Sequence, residues 1–110
     1  MQEVEKAITD QFELDESLLP AKASSEERFK ALRSLLIQRV EELAEKNMEH
    51  LMWILYRIDV SEKKLHETMQ QTPPEKFGAT LADLIIERQL KKIETRKQFG
   101  GKENDWNFDE

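Results

Sequence analysis

The sequence predicts an all-α protein: a small helical bundle built on a helical hairpin, about 25–58 against 74–98, with a short bridging helix and an N-terminal amphipathic helix. Three observations carry that expectation. Strong helix formers dominate, and the 110 residues include only three Gly and three Pro. β-branched residues are few and never alternate with polar ones over a strand length. Apolar residues instead recur at steps of three and four along most of the chain. A chain of this length makes one domain with a modest margin of core. That domain is expected over 1–100, and residues 101–110 read as a flexible acidic-aromatic tail.

Within residues 1–19, Val4, Ile8 and Phe12 fall on one face of a first helix, among Asp10, Glu13, Asp15 and Glu16, and Pro20 ends it. Ser24 and Glu27 have capping-box spacing, in which each side chain satisfies the other's backbone N–H. From there Phe29, Leu32, Leu36, Val40, Leu43, Asn47, Leu51, Ile54 and Ile58 keep one helical stripe. Beyond Asn47 apolar residues cover several sides, so Trp53, Leu55 and Ile58 are expected in the core. A straight helix over 25–58 would be about 50 Å long. A compact domain of this size has a radius of gyration of only about 13 Å. The unbroken stripe favours a continuous helix whose overhang a second copy covers; a break near Asn47 is the alternative.

Asp59-Val60-Ser61 interrupts the pattern, with Asp59 or Ser61 as the next cap, and Leu65 and Met69 anchor a short helix to about Gln71. Thr72-Pro73-Pro74 is a stop and a start together, because proline in a first helical turn gives up an N–H that had no partner. Phe77, Leu81, Leu84, Ile85, Ile86, Leu90 and Ile93 supply the apolar side of the last helix. Gly78, Ala79 and Ala82 are small enough to let a neighbouring backbone approach, and Gly100-Gly101 ends the helix.

The chemistry-bearing residues point away from catalysis. There is no cysteine, hence no disulfide, thiol nucleophile or Cys-based zinc site. His50 and His66 are isolated, and neither a His-Glu-x-x-His run nor a Glu-x-x-His pair is present. No glycine-rich phosphate loop precedes a helix. The expectation is no enzyme, no cofactor and no metal. Arg57, next to the break, is expected to pair with an acid or with helix C-terminal carbonyls. The longest apolar run, Leu51–Tyr56, is far short of the about 20 residues of a membrane span.

What remains is binding. The net charge of −6 disfavours nucleic acid and anionic membrane. The expected function is a protein-interaction or scaffold module of the bacterial-cytoplasm type, a homodimer meeting through the stripe Leu36, Val40, Leu43 and Asn47. A lone Asn on such a stripe can set register in a helical pair. Arg88 and Lys92 belong to a basic run, Arg88 to Lys97, which an acidic segment could meet. Residues 1–27 are one candidate, with eight acids against two bases. The tail is another: Trp106 and Phe108 among acids form a docking peptide for a partner or for that run. The rival reading is a helix-turn-helix DNA-binding regulator using residues 54–71, whose would-be recognition helix carries acids as well as lysines.

Overall fold

The computed structural model describes residues 2–98, which form five helices and no strands. They are α1 (Gln2–Phe12), α2 (Ser25–Lys46), α3 (Met48–Arg57), α4 (Glu62–Gln71) and α5 (Phe77–Gln98), with 3₁₀ turns at Glu16–Leu18 and Pro74–Lys76. The all-α bundle expected from periodicity is therefore the fold.

Long-range polar contacts give the helix directions. Arg28 of α2 reaches Glu5 of α1 while Arg39 reaches the Phe12 carbonyl, so α1 and α2 run parallel. Arg33 meets Asp83, and Gly78 lies against Glu41, so α5 runs antiparallel to α2. Gln89 bonds Gln11 and Lys97 approaches Glu3, so α5 is antiparallel to α1 as well. The hairpin of α2 and α5 is the largest helix pairing, and α1 lies across both. Val4, Ile8 and Phe12 enter one core with Leu32, Leu36, Val40, Leu43, Leu81, Ile85 and Ile93. Gly78 earns its place here: a Cβ on it would stand 2.5 Å from Cγ of Glu41.

Local chemistry sets the helix ends. Ser24 and Glu27 form the expected capping box, with bonds of 3.1 and 3.0 Å. Ser61, not Asp59, caps α4. Asp59 has another task. It stands in the left-handed region at φ 64, and Val60 N–H donates to the Leu55 carbonyl while Asp59 N–H donates to that of Tyr56. This is a Schellman closure of α3. Glu13, at φ 56, ends α1 in a related way, with Leu14 N–H donating to the Thr9 carbonyl. Neither position is glycine, so sequence alone signalled neither.

The continuous helix over 25–58 is not observed. It breaks at Asn47, whose φ of −158 and ψ of 66 lie outside the helical region. Asn47 serves both sides of the break: its N–H donates to the Leu43 carbonyl at 2.7 Å, and its Oδ1 accepts from His50 N–H at 3.2 Å. The longest dimension of the molecule is 43 Å, less than the about 50 Å of an unbroken helix. With the break, the overhang that called for a second copy disappears.

Among the described residues the buried polar side chains Glu5, Thr9 and Gln89 each have a hydrogen-bond partner. Glu5 takes two 2.8 Å bonds from the Arg28 guanidinium, which also donates to the Pro20 carbonyl. Those bonds hold the Glu5 carboxyl below its ordinary range, against burial, which pushes it up. Gln89 donates to Gln11 at 2.7 Å, and Thr9 to the Lys6 carbonyl at 3.1 Å.

Candidate protein-interaction surface

The helix α3 is apolar on two opposite sides. At about 100° per residue, Leu51, Ile54 and Leu55, with Ile58 just beyond, point one way and are buried. Tyr56 and Trp53 point the other way, Met52 and Met48 lie on the flank next to Leu55, and all four are exposed, Trp53 at 53% and Tyr56 at 76%. Leu55 and Ile58 are core residues as expected; Trp53 is not. A helix hydrophobic all round is ordinarily buried all round. Here α3 is short, packs at the rim against the end of α2, and has nothing over its outer side among the described residues.

Trp53 is held by its helix neighbours. The His50 ring stacks on it with centroids 5.8 Å apart and planes 15° from parallel, and the Arg57 guanidinium lies 4.9 Å from the ring centroid. The expectation that Arg57 pairs with an acid or caps carbonyls is thus replaced by a cation–π contact. Glu49, at the N-terminal end of the same outer face, is exposed. Among the described residues, neither Glu49 nor Arg57 takes part in an ion pair.

The stripe expected to form a dimer interface lies elsewhere. Leu36, Val40 and Leu43 are buried in the chain's own core, and Asn47 is an exposed cap. None of the three apolar members offers surface to a partner in this fold. Arg88 donates to the Ile58 carbonyl at 3.2 Å and to Asp59 at 3.3 Å, clamping the end of α3 to α5. Lys92 is half-buried beside it; burial, then the Arg88 charge, lowers its pKa, against Asp59. Among the described residues, Glu3 is the one acid of the first segment that meets the basic run, at 3.9 Å from Lys97. Trp106 and Phe108 lie outside the described residues.

Other chemistry is sparse. Among the described residues no cluster of three or more His, Asp or Glu side chains could hold a metal. Two depressions among the described residues are each lined by a single helix, Thr80–Leu90 of α5 and Gln38–Lys46 of α2, so they are surface grooves and not clefts between elements. On α4, Glu62, Lys63, Lys64, His66, Glu67 and Gln70 are exposed, and Lys64 is engaged by Glu87 at 2.9 Å. No helix among the described residues is long and apolar enough to cross a membrane. Comparison of the chain with protein-family models, curated proteins and solved structures found no match in any of the three.

The sequence signal for the outer face was present but absorbed into the core. Met48, Met52 and Tyr56 are spaced i, i+4, i+8, a second stripe beside the one that contains Leu51, Ile54 and Ile58.

Proposed function

We propose that this protein is an interaction module that works by binding another protein surface through the outer face of α3. One observation carries the reading: a short rim helix, already anchored by its inner apolar face, presents Met48, Met52, Trp53 and Tyr56 to solvent. Exposed apolar groups are common singly, but a contiguous set on one helix marks a contact surface. Its chemistry also fits. Trp, Tyr, Met and Arg are the residues enriched where protein surfaces meet, and Met adapts to irregular partners. Glu49 on the face, with the overall charge of −6, argues against an anionic membrane as the partner.

The absence of cysteine fits a reducing compartment, and the cytoplasm is the proposed location. The DNA-binding alternative keeps its spacing, α3 then α4 across residues 58–61, but not the surface chemistry it needs. The helix it would send into a groove carries acids at Glu62 and Glu67, and one of its lysines is already paired.

The test is a photo-crosslinking residue at position 56 of the full chain, in cells, with the exposed position 30 as control. Position 56 should give a discrete protein adduct that Trp53→Ala removes. Equal, diffuse labelling from both positions would refute the reading.

A further inference from the structure

We infer that the outer face of α3 is self-complementary and binds the same face of a second copy, antiparallel, about a two-fold axis at Trp53. This rests on the interaction reading above and names its partner.

Charge placement carries the inference. Glu49 and Arg57 lie four residues to either side of Trp53, at opposite ends of the exposed apolar set. They are eight residues apart, about 12 Å along the axis, too far to pair within one helix. Among the described residues neither has another ion-pair partner. When two such helices lie antiparallel with Trp53 at the centre, positions 49 and 57 exchange levels. Each copy's Glu49 then stands at the level of the other's Arg57, across the width of the face, a gap the long arginine side chain spans, and symmetry makes the pair twice. A parallel arrangement would set Glu49 beside Glu49 and Arg57 beside Arg57, so the charges select the antiparallel one.

The apolar groups follow the same axis. The two Trp53 rings meet at the centre, and Tyr56 of each copy falls toward Met52 of the other, which lies on the same edge of the face. The stacked His50 and the overlying Arg57 already restrict the Trp53 ring, so docking costs little side-chain entropy. Met52, Trp53 and Tyr56, about half to three-quarters exposed, offer on the order of 300 Å² of apolar surface per copy. With the polar rim added, this is the low end of specific interfaces, which implies a dimer that dissociates in the micromolar range and exchanges partners readily.

The experiment is sedimentation equilibrium of the full chain from about 5 to about 500 μM, a span suited to an interface of that size. The wild-type mass should rise from 13.0 kDa toward twice that value. Glu49→Arg alone and Arg57→Glu alone should each weaken self-association at least about tenfold, since each sets like charges across the axis. Mixed in equal amounts, the two variants should associate as well as wild type, because every cross-pair is then opposite in sign. Circular dichroism melts of both variants confirm that each is folded. A wild-type chain that stays at 13.0 kDa throughout, or a mixture no tighter than either variant alone, overturns the inference. The position-56 crosslinker separates this failure from that of the broader reading. An adduct of twice the chain mass supports the second copy. An adduct of another mass, or a crosslink to residues 99–110 of the same chain, overturns it, the former while leaving the interaction reading standing. No adduct at all overturns both.

Discussion

Replacing Asn47 with alanine distinguishes two structures by the sign of one number. Asn47 is exposed, so its side chain fills no core space. Its backbone bonds to Leu43, His50 and Leu51 survive the change. What is lost is the bond from His50 N–H to Oδ1 at 3.2 Å, the N-cap of α3. Removing such a cap costs about 1 kcal/mol. If residues 25–58 formed one helix instead, position 47 would be a helix interior. Alanine there would be the better helix former, and stability would rise by about 0.5 kcal/mol. The two structures thus differ by about 1.5 kcal/mol in the effect of one exposed side chain. Urea unfolding followed by far-ultraviolet circular dichroism reads this directly. The midpoint should fall by about 0.5–1 M with the slope unchanged, and the melting temperature by about 4–8 °C. A midpoint that rises would refute the break at Asn47 and restore the long helix.

The remaining predictions concern the core, the outer face, the buried carboxylate and a strained turn. Leu36→Ala should cost about 2–5 kcal/mol in chemical unfolding, because Leu36 is fully enclosed. Trp53→Ala should cost only about 1 kcal/mol, chiefly the cation–π contact and a partly covered ring; a larger loss at Trp53 than at Leu36 would put Trp53 inside. Glu5 has a depressed pKa in the folded chain, so its contribution is present above the ordinary glutamate value of about 4.3 and is lost as pH falls through the lower folded value. Glu5→Gln should therefore flatten the acid side of a melting-temperature profile, and an unchanged acid limb would separate Glu5 from Arg28. Glu13→Gly should raise stability by about 0.5–1 kcal/mol, since glycine adopts the left-handed conformation of φ 56 without the Cβ clash; a decrease would show that the Arg39 contact outweighs the strain.

What was legible in the sequence is what short-range chemistry decides. Ser24 with Glu27, Ser61, and Pro73-Pro74 mark helix starts because a cap involves residues only three apart. The stripe from Leu32 to Leu43 marks a buried face for the same reason. The break at Asn47 was legible only as the alternative because the apolar spacing runs across it undisturbed, from Leu43 to Leu51. A one-dimensional pattern records which side of a helix is apolar but not whether its axis bends. Trp53 escaped because an apolar count cannot tell a central helix from one at the rim. That distinction belongs to the placement of α2 and α5, which is not local. Nor was the Glu5–Arg28 pair readable, since its members are 23 residues apart and meet only once α1 lies beside α2. The residues of the candidate surface carry an apolar pattern that sequence alone assigns to the core, while Leu36, Val40 and Leu43, whose stripe suits an interface, are the core itself.

The position of α1 bears on how the chain acquires its structure during synthesis. Its apolar edge, Val4, Ile8 and Phe12, is covered in part by α5, and Gln11 finds its partner in Gln89, 78 residues later. At about 5–20 residues per second, roughly 4–17 s separate the making of Phe12 from that of Gln98. Through that interval α1 has only α2 beside it. A ribosome-bound nascent chain halted before α5 would accordingly show the Val4-Ile8-Phe12 edge to chaperones, and the bundle would close late, when its last helix emerges.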